Sequence, residues 1–282
     1  MKLKRIEETF FRAAMITATI IIVAALGSIL FTIVHKGITY MNWDMISSLP
    51  KGGYYFGKDG GVLNAIVGSL YLALGATLLA LFMSVPVALY MNVFLRKNGR
   101  AVSAFRFFLD VLWGIPSIVY GAFGFTMMLA MGIRTSLMAG IAIVGVFIAP
   151  IMIRAMDEVL QTVPSGIREA AYCMGCTKTE TAFRFFLRKA APGIVTAILL
   201  AFGRAIGDAA VVLLTTGYTD YIPTSLNQPV ATLPLAIFFQ LGSPVEEVQG
   251  RAYASALILT VIILIISIAA RLFSGLYNKH SK

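Results

Sequence analysis

The chain has 282 residues, 59% of them hydrophobic and 13% charged, with a net charge of +10. A soluble domain carries about 25% charged residues, so this composition describes a polytopic membrane protein. It excludes a nucleic-acid module, because the basic residues are scattered between apolar stretches, and its two cysteines and two histidines offer neither a four-ligand zinc pattern nor a disulfide framework.

Lys2, Lys4, Arg5 and Arg12 precede an uncharged run over 13–34. About 20 apolar residues cross a bilayer, so this run predicts a first transmembrane helix. A secretory signal has an apolar core of only ~7 to 15 residues and a small-residue cleavage site. The run shows neither, and the helix is expected to stay with its N-terminus in the cytoplasm. The polar, aromatic loop over 35–60 contains Gly52-Gly53-Tyr54-Tyr55-Phe56-Gly57-Lys58-Asp59, close to a phosphate-binding loop. Asp59 stands where a Ser or Thr would hold magnesium, and no strand precedes it, so no nucleotide site is expected.

Residues 60–95 carry no charge and are too many for one straight crossing yet too few for two. One crossing over about 63–83, extended past a kink at Pro86, fits. It ends at Arg96-Lys97-Asn98-Gly99-Arg100, a basic and therefore cytoplasmic segment. Two further crossings are expected over 111–133 and 135–153, joined by the hairpin Gly132-Ile133-Arg134-Thr135. The first of these carries Gly114-Ile115-Pro116-Ser117, a helix break whose freed carbonyls are tolerable only against protein or a water-filled cavity. Pro116 and Ser117 are therefore candidates for lining a path. Asp110, just before the break, reads as an interfacial residue.

Residues 154–192 form the one sizeable polar segment on the cytoplasmic side and predict two short helices. Glu169-Ala170-Ala171-Tyr172-Cys173-Met174-Gly175 is the first. Its Ala170, Ala171 and Gly175 would leave backbone open to a partner and Glu169 would offer an anionic contact, unless the segment merely joins two spans. Thr177 to Glu180 is a capping box for the second, which should run to about Lys189 with Phe183, Phe186 and Leu187 apolar and Arg184, Arg188 and Lys189 basic. Cys173 and Cys176 have the spacing of a redox or zinc pair, but neither a strand context nor a second ligand pair accompanies them. No metal or cofactor is expected.

Pro192 predicts the start of a fifth span, in an uncharged stretch over 190–219 interrupted only by Arg204-Ala205-Ile206-Gly207-Asp208. At ~1.5 Å per residue from Gly193, Arg204 lies ~16 Å and Asp208 ~22 Å into a hydrocarbon core ~30 Å thick. The i,i+4 spacing places both on one helix face, which Gly207 keeps narrow. An arginine at that depth costs roughly 2.5 to 3.5 kcal/mol and faces a bundle interior or a wet cavity. The pair either pins helix packing or belongs to a substrate path, the second being the default for intramembrane ionisable residues. A sixth span over 252–270 precedes Arg271 and a short basic tail, which puts both termini in the cytoplasm.

Glu169-Ala170-Ala171, with Gly175 four residues after Ala171, resembles the EAA motif with which permease subunits of ABC importers dock on their ATPase. Gly114-Ile115-Pro116-Ser117-Ile118-Val119-Tyr120-Gly121, Arg204 to Asp208, and Pro229-Val230-Ala231-Thr232-Leu233-Pro234 are similar to the PstA type of that superfamily, which usually has Glu at the place of Asp208. The resemblance implies an all-α membrane protein with six transmembrane helices in the MetI-like ABC importer permease fold, including a cytoplasmic coupling helix. Residues 1–35 would be a tail and first helix, and 61–273 the permease domain, with the EAA-type loop at about 164–193.

The resemblance further implies a non-catalytic subunit that carries inorganic phosphate across the bacterial inner membrane. Its partners would be a PstC-like second permease, two PstB-like ATPases, a PstS-like phosphate-binding protein and membrane lipid, with no nucleic acid. Arg204, Asp208, Pro116 and Ser117 would lie on the path, and Glu169, Ala170, Ala171 and Gly175 on the ATPase. A guanidinium can grip a tetrahedral oxyanion by two hydrogen bonds, and Asp208 can accept the proton that hydrogen phosphate still carries. The rival reading is an ion channel or proton-coupled anion carrier using Arg204 and Asp208 as a relay. An intramembrane enzyme would need a nucleophile and base at recognisable spacing, and none is seen.

The topology is directly testable. With Cys173 and Cys176 replaced, Lys58→Cys should react with an impermeant thiol reagent applied outside the cell, and Asn98→Cys only after permeabilisation. The reverse pattern would put the EAA-type loop outside.

Overall fold

A chain in lipid must satisfy every backbone N–H and C=O within itself, so its apolar runs become helices. The computed structural model describes residues 2–51, 59–95 and 99–279. The glycine-rich stretch from Gly52 to Lys58, the segment Arg96-Lys97-Asn98, and His280 lie outside the described residues.

Helix α1 (Lys2–Tyr40) runs past the predicted span at both ends and packs chiefly on α12 (Glu246–Lys279), which likewise outruns its prediction. Gly37 permits the approach, since a Cβ there would meet the Tyr253 carbonyl oxygen at 2.7 Å. Most of α1 is otherwise exposed, including Ile20, Ile21, Ile22 and Phe31. A short helix α2 (Trp43–Ser47) and a two-residue ladder of β1 (Pro50–Lys51) with β2 (Asp59–Gly60) follow.

The centre of the bundle is α3 (Leu63–Leu89) against α6 (Leu137–Gln161). Helices approach closely in a membrane where small residues face the seam, and α3 buries Gly68, Ser69, Ala73, Ala76 and Ala80 on one side. From α6, Val144, Ile148, Met152 and Met156 fill the gap. As expected, Pro86 sits within an extension of α3, which continues as a widened π-helical turn over Tyr90–Phe94.

The predicted third crossing over 111–133 needs correction. Its first residues belong to a separate helix, α4 (Gly99–Gly114), which meets α5 (Ser117–Ala130) at 90°. The break at Pro116 is thus an elbow between two helices. Among the described residues five helices are long and apolar enough to cross a membrane, and the bent pair makes a sixth crossing if counted as one span.

One short helix, where two were expected, precedes the fifth span. After α7 (Ser165–Cys173), the capping box at Thr177 and Glu180 forms as predicted and opens α8 (Lys178–Glu180). The second correction is here. A π-helical stretch over Thr181–Phe186 leads straight into α9 (Leu187–Gly207), so one helix runs from the cap to Gly207 and Pro192 lies inside it. Beyond Gly207 come α10 (Ala210–Thr215), an irregular segment over 216–232, and α11 (Leu233–Leu241).

That segment closes the end of the bundle opposite α7. Val230 N–H donates to Thr216 O, Leu137 N–H to Gln228 O and Met138 N–H to Leu226 O. Asn64 of α3 donates to Thr219 O at 2.7 Å, and Leu233 N–H donates to Ser69 Oγ at 2.8 Å. Gly68 gives the closest approach, because a Cβ on it would lie 2.0 Å from Ala231 O. Gly68→Ala should therefore destabilise the protein by about 1 to 3 kcal/mol, the usual cost of overpacking. Thermal unfolding in detergent measures this, and an unchanged midpoint would contradict the seating of 230–231 on α3.

Candidate functional site

Along α9 the burial pattern divides cleanly. Ile194, Ala197, Ala201, Phe202 and Ala205 are buried, while Thr196, Leu200, Arg204 and Gly207 form an open stripe at helical spacing. A Cβ at Gly203 or Gly207 would meet nothing within 4 Å, so the backbone beside Arg204 is bare.

The expectation that Arg204 and Asp208 share the face of one continuous helix is wrong, although they do meet. The helix ends at Gly207, and Asp208 is extended, at φ −80° and ψ 122°. Its Oδ1 accepts the Val211 N–H at 2.9 Å, satisfying a donor at the start of α10 that has no intrahelical partner. Its Oδ2 lies 3.5 Å from Arg204 Nη2. The carboxylate is therefore fixed by the backbone and the arginine is not. Their side chains are 3% and 49% exposed.

Arg204 is placed from its other side by Phe147, whose ring centroid is 5.1 Å from the guanidinium carbon. A guanidinium over an aromatic face keeps its N–H edge available for a planar or tetrahedral oxyanion. Phe147 in turn meets the Tyr120 ring edge-on at 5.2 Å. The Tyr120 hydroxyl donates to Leu112 O at 3.0 Å, across the elbow. The carbonyl freed by the break thus finds protein, as a helix break at membrane depth requires. Pro116 and Ser117 form that elbow but make no ion pair or hydrogen bond with Arg204 or Asp208. The structure connects the elbow to Arg204 through Tyr120 and Phe147. Gly121 lets α5 pack on α10, with a notional Cβ 3.0 Å from Ala210 O.

At the EAA-like segment, Gly175 takes φ +80° and closes α7. Its N–H donates to Tyr172 O, and Cys176 N–H to Ala171 O, both at 3.0 Å. This is a helix stop that favours glycine, since side chains resist the left-handed region. Glu169, Ala170 and Gly175 are exposed, with open space around Gly175. Ala171 contradicts the sequence expectation by being fully buried, because α7 turns that side toward the π-helical stretch over Thr181–Phe186. Exposed Tyr172, Met174 and Phe183 surround the same surface.

One cluster was not foreseen. Asp157 of α6 is fully buried and receives two bonds from Arg106, Nε to Oδ2 at 2.8 Å and Nη2 to Oδ1 at 3.1 Å. Asn92 donates to Oδ1 at 2.8 Å, Gln161 to Oδ2 at 3.0 Å, and Arg154 to Oδ2 at 3.3 Å. Asp110 pairs with Arg154 at 3.2 Å and is half exposed, in keeping with an interfacial place. Among the described residues no group of three His, Cys, Asp or Glu could hold a metal ion.

Residues 84–279 match the family described as binding-protein-dependent transport system inner membrane component. The chain belongs to that family. The permease is 35% identical over 243 residues to the phosphate transport system permease protein PstA of Yersinia pestis, covering 86% of this chain and 81% of that one. It is 32% identical over 250 residues to the protein of the same name in Haemophilus influenzae, covering 87% and 86%. The resemblance to the PstA type therefore holds over most of the permease. Among solved structures, an inward-facing MetNI methionine ABC transporter gives a TM-score of 0.63 at 19% identity over 77% of this chain and 95% of that one. A bacterial alginate ABC transporter, in complex with an alginate pentasaccharide-bound periplasmic protein, gives 0.62 at 17% over 96% of each. Both share the MetI-like permease fold, which agrees with the six-helix reading when the bent pair is counted as one crossing.

Proposed function

We propose that this permease moves inorganic phosphate into the cell, with Arg204 as the cationic contact on the path and ATP hydrolysed by a partner. The observation that carries this is the half-exposed guanidinium of Arg204 on the open stripe of α9. An arginine at membrane depth does not face lipid, so the stripe needs water or protein over it. This chain covers only one side. A PstC-like second permease laid against the stripe would complete a wet path, with Pro116 and Ser117 at its elbow.

The relatives are phosphate transport permeases, and the chemistry around Arg204 suits that cargo. Asp208 Oδ1 is held by Val211, while Oδ2 can accept the proton that hydrogen phosphate keeps and sulfate lacks. Glu169, Ala170 and Gly175, with Ala171 packed beneath them, would dock a PstB-like ATPase, two copies serving the two permeases. A PstS-like binding protein would deliver phosphate at the opposite end. In this reading the chain is itself non-catalytic, residues 1–35 are a tail and first helix, residues 61–273 are the permease unit, and both termini are cytoplasmic.

Phosphate uptake by the complete complex in proteoliposomes tests the path. Arg204→Gln should lower uptake about 10- to 100-fold, the worth of a hydrogen bond to a charged group, with the protein still inserted. Asp208→Glu should transport normally. Asp208→Asn keeps the bond from Val211 but should transport more slowly and let sulfate compete. Near-normal uptake in Arg204→Gln would leave only a structural ion pair, and uptake without ATP would favour a channel or proton-coupled carrier.

Docking has its own test. Gly175→Leu forces a side chain into the left-handed region, a cost of roughly 1 to 2 kcal/mol, and places it in the exposed surface. It should stay in the membrane yet lose substrate-stimulated ATP hydrolysis, as should Glu169→Lys by charge reversal. Wild-type hydrolysis in both variants would reduce the loop to a connector.

A further inference from the structure

Asp157 lies in the last turns of α6, which ends at Gln161, and the EAA-like helix α7 begins at Ser165. Its bidentate partner Arg106 is partly buried and lies on the same face of α4 as the buried Val102 and Leu109. A buried ion pair is weak as a stabiliser, because desolvation offsets most of the attraction and apolar replacements often do as well. What the fork of Arg106 on Asp157 does supply is direction. It fixes how α4 lies against the root of the loop.

Toward its C-terminus, less than two turns beyond Arg106, α4 is held just as specifically. The Tyr120 hydroxyl reaches back from α5 to Leu112 O, and the Tyr120 ring packs on the same Phe147 that lies under Arg204. Contacts therefore run without a gap from the root of the EAA-like loop, through Asp157 and Arg106, along α4, and by Leu112, Tyr120 and Phe147 to Arg204. A rigid helix clamped at two points, here Arg106 and Leu112, can transmit a displacement, provided that both sites bias its position.

We propose that α4 is the lever that carries movement of the ATPase-docking loop to the Arg204 side of the path, with Asp157 and Tyr120 as its positioning residues. This rests on the transport reading of Arg204 and of the loop. Neither residue touches substrate. Asp157 sets the position of α4 relative to the loop, and Tyr120 sets it relative to α5 and to the ring supporting Arg204.

The test uses the complete transporter in proteoliposomes, with phosphate uptake and ATP hydrolysis measured on the same vesicles. Tyr120→Phe removes one hydroxyl and keeps the ring on Phe147. It should cut phosphate moved per ATP by about two- to thirtyfold, the range reached by substitutions along a coupling network, with the half-saturating phosphate concentration unchanged. Asp157→Asn should do the same, and Arg106→Lys, which keeps the charge but loses the fork, should retain part of the wild-type ratio. A merely structural role would lower uptake and hydrolysis together, and that wild-type ratio would overturn the proposal. Should Asp157→Asn fail to accumulate in the membrane, Tyr120→Phe alone decides. Arg204→Gln, run alongside, separates a failure of the lever from a failure of the transport reading, because normal uptake there removes the path itself.

Discussion

A guanidinium held at membrane depth must be paired or hydrated, and much of this fold follows from how Arg204 is accommodated. The broken helix at Asp208 gives it a counter-charge whose position the backbone fixes. Phe147 gives it a platform, and Tyr120 holds that platform to the elbow. None of these contacts encloses it. The remaining side of Arg204 opens along the stripe of Thr196, Leu200 and Gly207, with bare backbone at Gly203 and Gly207.

Asp157 shows the opposite solution to the same constraint. Its two oxygens are taken by Arg106, Arg154, Asn92 and Gln161, and no part of the side chain is exposed. The two carboxylates divide the labour of charge in this bundle. One is left with a half-exposed partner, and the other is saturated and fixes geometry. A saturated network resists change in its members, since losing one partner strands the rest without compensation.

Most spans were legible because hydrophobic length is a strong signal, though the one over 111–133 hid a right-angled elbow, and the capping box at Thr177 was legible because it depends on residues a few positions apart. The break after Gly207 was not. No proline marks it, and the i,i+4 spacing of Arg204 and Asp208 is just what an unbroken helix would show. Pro192 misled in the other direction, since a proline can sit within a membrane helix when neighbouring groups satisfy the carbonyl it frees. The burial of Ala171 was readable from Ile167, one turn earlier on the same face of α7. Asp157 could not have been read locally, because Asn92 and Arg106 stand 65 and 51 positions away.

The pairing of α1 with α12 has a consequence for how the protein is made. Helix α1 packs on α12, with the rest of the described bundle between them in sequence, so its proper neighbour does not exist until those intervening helices have been made. Through that interval α1 must be content in lipid alone. Its nearly all-round apolar surface suits that wait, whereas α3 and α6, which face each other through small residues, find their partners within one stretch of chain. Biogenesis should therefore assemble α3 with α6 before α1 docks on α12.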